Sequence, residues 1–265
     1  MPTLGPVDKW EGNIVAIYDD RLKTGPLALQ FHEGFPTPFI ETVNFTCPRP
    51  DWQTDQLPGK LGYALEKPFG EDPLPVTVSN WLDADGQTVT MKTVGVNQGS
   101  DIIDEIVLSP CLAFRHCPEM FDDTGDRLFY RHEKIWKNWR ELRRYVHAGW
   151  GEKVQHFEIK GRPSRMAELT DGYDPWGWGL SPDRLDISLA ARVHPESGLA
   201  IGIAFDRSHS ASGNCNKSHY CVHSAGKISD LCPGEKRTRI GKVFFCDNGL
   251  DELWDRYNSE LHKLV

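Results

Sequence analysis

Short segments in which apolar and polar residues alternate recur between residues 76 and 246, and this pattern limits the fold more than any other feature. Successive side chains of a β-strand point to opposite faces, so alternation predicts strands with one buried face. Turn residues such as those at 83–86 separate the segments and predict hairpins. The chain is therefore predicted to be mostly β, forming a large antiparallel β-sandwich.

Two segments change to the helical period of 3.6 residues. In the first, at about 133–147, Trp136 and Trp139 fall on one apolar stripe and Gly149 follows. In the second, at about 249–264, a continuous apolar stripe follows Asn248, which stands at the N-cap position. Both segments are predicted to be amphipathic helices that pack at the periphery of the sandwich.

The first 75 residues are rich in proline, glycine and turn dipeptides. One strand is predicted there, at 13–18, and a long irregular loop is predicted at 47–68 because proline interrupts strand pairing. No linker or internal repeat divides the chain. Residues 1–265 are thus predicted to form a single domain, on which the loop-rich segment 1–75 packs.

The segment 185–205 is the clearest predicted hairpin. Pairing Val193 with Ile201 would give it one apolar face and one face of small and polar residues, comprising Ser188, Ala190, Arg192, Gly202, Ala204 and Asp206. Two interpretations of the second face stay open. It is either a packing layer in which Arg192 and Asp206 form an ion pair, or the floor of a ligand groove.

Charge and missing motifs argue against several classes of function. The net charge of −8 argues against a nucleic-acid partner, because duplex binders usually present a basic surface. No apolar run approaches the ~20 residues that span a bilayer, so no membrane partner is expected. Phosphate-loop, dinucleotide-binding and Gly-x-Ser-x-Gly motifs are absent, which argues against nucleotide-dependent enzymes and α/β-hydrolases.

The cellular compartment stays open between two alternatives. The N-terminus lacks the basic start and apolar core of a signal peptide. Tripeptides beginning at Asn44 and Asn216 fit the glycosylation acceptor pattern, and the seven cysteines are odd in number. We expect an extracellular protein whose signal has been removed, with a cytoplasmic location as the alternative.

Histidines and cysteines concentrate between residues 209 and 232. On a strand, His219, Cys221 and His223 would project from one face, as zinc ligands do. No Cys-x-x-Cys pair is present, so disulfides within the segment and unligated side chains are alternatives. We expect no cofactor and assign no metal ligand, with a structural or catalytic zinc or calcium ion as the alternative.

Aromatic and basic side chains supply two further candidate clusters. The loop at 173–179 carries two of the nine tryptophans, whose flat rings could stack on a sugar, as Trp150 could. Indoles tucked into the core are the alternative interpretation. The second cluster lies where a predicted strand meets the first predicted helix, and it comprises Tyr130, Arg131 and His132. The alternative to a catalytic role is that these residues form a salt-bridged helix cap with no chemical function.

Together these features predict a carbohydrate-active enzyme that acts on an oligo- or polysaccharide, in general similarity to carbohydrate-active β-sandwich proteins. β-Elimination is favoured over hydrolysis, because Tyr, His and Arg side chains outnumber convincing carboxylate pairs. A non-catalytic carbohydrate-binding domain is the alternative from another class. The predicted catalytic residues are Tyr130, Arg131, His132, Asp206, His219, Tyr220 and His223. The predicted substrate-binding residues are Arg115, His116, Trp150, Tyr173, Trp176, Trp178 and Arg192.

Overall fold

The computed structural model describes residues 1–6, 14–31, 53–54, 60–65, 76–144, 153–162, 180–217 and 219–262. In chain order its strands are β1 (Thr3–Pro6), β2 (Ile14–Tyr18), β3 (Leu27–Gln30), β4 (Gln53–Thr54), β5 (Lys60–Leu65), β6 (Val76–Asp85), β7 (Thr88–Asn97), β8 (Ile103–Leu108), β9 (Cys111–Ala113), β10 (Leu128–His132), β11 (Ile135–Asn138), β12 (Val154–Glu158), β13 (Leu189–Val193), β14 (Ala200–Phe205), β15 (Ser208–Asn214), β16 (Cys221–Leu231) and β17 (Lys236–Cys246). An α-helix, α1, covers Gly249–Glu260, and none of the described helices has the length and apolar character needed to cross a membrane.

The strands form two antiparallel sheets, which confirms the predicted mostly β antiparallel sandwich. Sheet A has the order β1-β2-β3-β9-β16-β15-β12, and β8 also pairs with β16. Sheet B has the order β11-β10-β13-β14-β17-β7-β6-β5-β4. Neighbours in each sheet often come from distant parts of the chain, so the sheets bring remote segments together.

The main core lies between the two sheets. Sheet A contributes side chains such as Leu112 and Phe157, and sheet B contributes Ile203 and Phe245, all fully buried. A second apolar cluster lies on the other face of sheet B, where Leu253 of α1 is also fully buried. Burial of this much apolar surface is the dominant stabilising contribution to such a fold.

The helix predicted at about 133–147 is wrong over its described part. β10 and β11 form a hairpin, and Glu133 and Lys134 make its turn with positive φ angles of 53° and 64°. The apolar residues do not share one stripe, because Trp136 packs toward α1 whereas Trp139 packs into the main core. A short 3-10 helix, Trp139–Glu141, follows the hairpin. The second predicted helix is confirmed as α1, and residues 145–147 lie outside the described residues.

The irregular loop predicted at 47–68 is also wrong in part, because β4 and β5 lie inside it. β5 pairs along its whole length with β6. Pro58 and Pro68 stand on either side of β5 in the sequence, and the nine residues between them, which include the six of β5, contain no proline. Proline excludes pairing only at its own position, so the uninterrupted stretch remains able to join the sheet. The strand predicted at 13–18 is present as β2.

The hairpin of β13 and β14 has a register one residue away from the predicted one. Val193 pairs with Ala200, and Arg192 pairs with Ile201. Because side chains alternate between faces, this shift regroups both faces and places Arg192 with Ile201 and Ile203 on the core side. The opposite face carries Leu189, Ala191, Gly202 and Ala204, and α1 packs on it. The small residues therefore seat a helix, and the predicted ligand groove is wrong at this face.

Candidate functional site

The face of sheet A that points away from the core is rich in polar side chains, and we call it the polar face. Alternation defines it, since Leu112, Phe157 and Val222 point into the core and their neighbours point outward. Its buried members are Glu105, Cys111, His156, Glu158, Ser210, Ser212, Asn214, Cys221 and His223, and Lys227 is half-buried. Buried polar groups need partners, so their contacts indicate which of them could do chemistry.

His209 is buried at an irregularity of β15, where the pairing with β16 shifts between Ser208 and Ser210. Its Nδ1 lies 3.1 Å from the Ala225 carbonyl oxygen, so Nδ1 carries the proton and donates it. Burial, followed by the nearby His156 and Lys227, lowers the pKa of His209 to about 3. The imidazole is therefore neutral throughout the physiological pH range.

Three soft donors meet on the polar face. His223 of β16 stands directly opposite Cys111 of β9, and Cys221 lies two residues before His223 on the same face. One potential ligand atom from each residue lies within 4.8 Å of the others, and all three residues are buried. The predicted grouping of Cys221 with His223 is thus present. His219 lies before β16 and is half-exposed. Tyr220, between His219 and the first residue of β16, has a φ of 48°, so the alternation of side chains along the strand does not extend back to His219.

A basic pocket of about 480 Å³ lies beside β16 and β17. Its lining comes from four parts of the chain: the segment after β12, the β14–β15 turn, β16 and β17. The lining residues are Arg162, Arg207, Lys227, Ser229, Asp230, Arg237 and Arg239. They include five cationic groups and one carboxylate, although the whole chain has a net charge of −8. The pocket is therefore a concentrated positive site on an acidic protein.

Hydrogen bonds fix the deeper cations of the basic pocket. Arg239, 9% exposed, donates from Nε to the Lys227 carbonyl oxygen at 2.5 Å, which joins β17 to β16. Arg237 Nε lies 2.6 Å from Glu235 Oε1, and Lys227 Nζ lies 3.4 Å from Glu105 Oε2. Burial lowers the pKa of Arg239, and the neighbouring arginines lower it further against the opposing effect of Asp206. The cations thus repel one another at close quarters, and a bound anion would relieve that repulsion.

The outer cations of the basic pocket are available for a ligand. Arg162 and Arg207 are exposed, and neither forms an ion pair within the described parts of the chain. Asp206 adjoins Arg207 in sequence and is buried, and its carboxylate accepts a hydrogen bond from the Ile240 N–H at 3.0 Å. Burial raises the pKa of Asp206 to about 6, although the Ile240 hydrogen bond and the nearby arginines oppose the rise. Asp206 therefore exchanges its proton near neutral pH.

A second cavity, of about 530 Å³, surrounds Tyr220, and Phe121, Asp122, Asp123, Thr124, Arg127 and Lys217 also line it. The Tyr220 hydroxyl donates a hydrogen bond to the Asp123 carboxylate, and its ring stacks on Phe121 with centroids 4.3 Å apart. Burial and then Asp123 raise the pKa of Tyr220. Tyr220 is thereby held protonated, as a hydrogen-bond donor.

Tyr130, Arg131 and His132, which the sequence groups together, point to both sides of sheet B. Tyr130 is fully buried in the main core, with its ring centroid 4.9 Å from that of Phe157. The Arg131 guanidinium lies on the opposite face, 4.3 Å from the centroid of the Trp254 ring of α1. His132 is buried, and its Nδ1 lies 3.6 Å from Glu133 Oε2. None of the three residues lines either described cavity.

The predicted substrate-binding residues fall into three groups. Arg192 is fully buried between the sheets, where Nη2 donates to the Asn214 carbonyl oxygen at 2.5 Å and the guanidinium lies 5.6 Å from the Tyr220 ring. Arg115 and His116 are half-exposed beyond β9, with Arg115 Nε 3.0 Å from His116 Nε2. The remaining four, Trp150, Tyr173, Trp176 and Trp178, lie outside the described residues.

Sequence reasoning missed the cations of the basic pocket and the contribution of Cys111 to the soft-donor cluster. One signal was present, because Arg237 and Arg239 stand two residues apart on a strand and must share a face. Arg162 and Arg207 lie far from each other and from Arg237 in the sequence, so no local pattern groups them. Cys111 is 110 residues from Cys221, and only the pairing of β9 with β16 brings the two together.

No protein-family model matches the chain, and no characterised protein matches it in sequence. Several solved structures are similar in fold. The α-N-acetylgalactosaminidase NagBb from Bifidobacterium bifidum, solved as a GalNAc complex, is 8% identical with a TM-score of 0.53, over 98% of this chain and 39% of that one. This chain thus spans about two fifths of the length of NagBb.

Two smaller proteins are also similar, at lower TM-scores. A putative aldose 1-epimerase from Escherichia coli K12 is 11% identical with a TM-score of 0.44, over 93% of this chain and 99% of that one. A galactose mutarotase-like protein from Lactobacillus casei is 10% identical with a TM-score of 0.47, over 93% of this chain and 100% of that one. At these identities the likeness concerns the fold alone. The chain has a β-sandwich fold that also occurs in carbohydrate-active proteins.

Proposed function

We propose that the protein is a carbohydrate-active protein that binds an acidic saccharide in the basic pocket. The observation that carries this proposal is the convergence of five cationic side chains on one cavity. The saccharide part of the proposal is supported by the fold shared with NagBb, which was solved with a bound sugar. The acidic part is supported by the charge of the pocket, because a neutral sugar carries no negative charge that could pair with the five cations.

The pocket suits a carboxylate or sulfate group in size and in donor geometry. Its volume of about 480 Å³ lies within the range of about 300–1,000 Å³ that is usual for small-ligand sites. Arginine presents a planar fork of N–H donors that pairs with two oxygens of a carboxylate or sulfate. Arg162 and Arg207 are exposed at the opening, whereas Arg239 is held deeper by its bonds to the backbone. An anion entering the pocket would meet the exposed donors first and the hydrogen-bonded donor afterwards.

β-Elimination on a uronate is the reaction that this arrangement favours. That reaction needs cations to neutralise the carboxylate, a base to remove the proton next to it, and an acid to protonate the leaving oxygen. The basic pocket would supply the cations. Asp206, whose pKa is about 6 and which adjoins Arg207, would remove the proton as a carboxylate and, once protonated, would return it to the leaving oxygen.

A non-catalytic binding domain is the second candidate, and the state of two other titratable groups favours it. His209 is 1% exposed, and both its ring nitrogens lie within hydrogen-bond distance of protein atoms. Tyr220 is held protonated in a separate cavity by its bond to Asp123. Neither group is placed to exchange a proton with a ligand in the basic pocket.

The binding proposal is tested with oligogalacturonate, and maltohexaose serves as a neutral control. Isothermal titration calorimetry should show binding of the uronate alone, weakening as salt is added. Removing two charge-assisted contacts with the double variant Arg162→Gln/Arg207→Gln should weaken uronate binding by about 100-fold or more, since such bonds contribute about 1.5–3 kcal/mol each. Arg140→Gln is the matched control, because Arg140 is exposed and pairs with Asp126 away from the pocket. Equal affinity for both glycans, or an unchanged double variant, would overturn the proposal.

The reaction is tested separately by following ultraviolet absorbance of an unsaturated uronate product. Asp206→Asn should abolish that absorbance while leaving uronate affinity within a few-fold of the wild type. Tight uronate binding by the wild-type protein with no new absorbance would refute elimination and support the binding domain. New reducing ends without absorbance would instead indicate hydrolysis.

A further inference from the structure

The soft-donor cluster of the polar face has a chemistry that saccharide binding does not use. We propose that Cys111, Cys221 and His223 together bind one Zn²⁺ ion. Two cysteines and one histidine are a ligand set that zinc prefers over calcium or magnesium, which take oxygen ligands. The inference is independent of the basic pocket, because none of these three residues lines that cavity.

Strand pairing sets the geometry of the proposed site. Cys111 and His223 are directly opposite each other across β9 and β16, and Cys221 follows the same face of β16. Their potential ligand atoms lie within 4.8 Å of one another. In a tetrahedral zinc site with Zn–S near 2.3 Å and Zn–N near 2.0 Å, ligand atoms are about 3.5–3.8 Å apart. Small rotations of the side chains, of about 1 Å at the ligand atoms, would close the site.

Neighbouring residues form hydrogen bonds with the proposed ligands, as residues around a metal site commonly do to orient the metal ligands. The Asn214 side-chain amide lies 2.7 Å from Cys221 Sγ and donates to it, which favours a thiolate. Ser212 Oγ lies 3.1 Å from His223 Nδ1, so the serine can hold the imidazole with Nε2 directed to the metal. Both supporting residues are buried members of the polar face.

Charge balance also favours zinc at this buried position. Two thiolates with one Zn²⁺ ion and a neutral imidazole carry no net charge, which minimises the cost of burial. The fourth tetrahedral position would be taken by water or by another donor.

A disulfide between the two cysteines does not fit the strand register. Cys111 is opposite His223, so it is diagonal to Cys221, and diagonal Cα atoms in an antiparallel pair lie about 7–8 Å apart. That separation exceeds the span of a disulfide. No disulfide joins any of the six cysteines in the described part of the chain. The register thus places both cysteines on one face without a disulfide between them.

Metal content and cobalt substitution test the proposal. Protein produced with added zinc and then desalted should contain about one zinc per chain by elemental analysis. The Co²⁺-substituted protein should show a thiolate-to-cobalt charge-transfer band and the intense visible bands of a tetrahedral site. Cys111→Ser and Cys221→Ser should each lose stoichiometric zinc and the charge-transfer band. Cys232→Ser, which changes an exposed cysteine, should keep both, and Ser212→Ala should weaken zinc binding about 10- to 100-fold.

X-ray absorption on the zinc-loaded wild-type protein keeps the test decisive if the cysteine variants fail to fold. The expected inner shell contains two sulfurs near 2.3 Å together with nitrogen or oxygen near 2.0 Å. A shell of nitrogen and oxygen alone would refute the proposal. So would a folded, reduced wild-type protein that takes up neither zinc nor cobalt, or cysteine variants that bind both metals as the wild type does.

Discussion

Replacing Gly202 by alanine tests how helix α1 packs on sheet B. Gly202 lies on β14 beneath α1, and a Cβ atom added there would come within 2.7 Å of Leu253 Cδ2 and 2.9 Å of Cδ1. Carbon atoms at optimal separation lie about 3.5–4.0 Å apart. Leu253 is fully buried in the apolar cluster between α1 and sheet B, so a shift of its side chain would displace packed neighbours. We therefore expect Gly202→Ala to force the helix or the leucine out of place.

The size of the effect follows from the same contact. Overpacking a closed core costs about 1–3 kcal/mol, and we expect Gly202→Ala to lower the free energy of unfolding by that amount. Leu253→Ala should cost about 2–5 kcal/mol because it leaves a cavity. The double variant should cost less than the sum by about 0.5–3 kcal/mol, because the new methyl group occupies space that the leucine vacates.

Urea unfolding followed by circular dichroism measures all three variants, and an unchanged slope shows that only stability has changed. Asp255→Ala on the exposed side of α1 is the control and should change stability by no more than about 0.5 kcal/mol. If Gly202→Ala were neutral, or if the two changes were additive, the reasoning that Leu253 tightly fills the space above Gly202 would be refuted.

Two further predictions concern buried charged groups. Because the pKa of Asp206 is raised from 3.8 to about 6, its stabilising contribution is present below pH 4 and is lost as pH rises through 6, a loss of up to about 3 kcal/mol. Asp206→Asn should flatten that part of the stability–pH curve, and an unchanged slope between about pH 4 and 7 would contradict the assignment. Arg192→Met should leave the free energy of unfolding unchanged or raise it, because within the described residues Arg192 Nε and Nη1 have no hydrogen-bond partner. A loss above about 3 kcal/mol in urea unfolding would show that the guanidinium is held by a compensating group.

Local sequence patterns were reliable where the structure depends on neighbours in the chain. Alternation located strands such as β14 and β17, and the apolar stripe that contains Leu253 located α1. The same reasoning failed at 133–147, where Trp136 and Trp139 have helical spacing but pack on different sides of sheet B. Spacing shows which residues could share a face of a helix. It does not show whether a single packing partner in the folded protein covers that face.

In the candidate sites too, some residues could be identified from the sequence and others only from the tertiary structure. Asp206, Cys221 and His223 stand out in the sequence by residue type, and each adjoins or belongs to a site in the structure. The basic pocket as a whole could not be predicted, because its cations come from four segments that meet only when both sheets have formed. The aromatic half of the predicted saccharide site, which includes Trp176 and Trp178, lies outside the described residues and stays a prediction.

By itself the sequence determined that this chain forms antiparallel strands with a C-terminal amphipathic helix, because alternation and helical spacing are properties of adjacent residues. Only the tertiary structure decided which strands are neighbours, which face of β13 and β14 receives α1, and where the charges gather. A one-residue change of register moved Arg192 from a proposed groove into the core without altering any local preference. Register and strand order depend on contacts between segments that are distant in the sequence. The free energies of those contacts cannot be deduced from any short stretch of sequence.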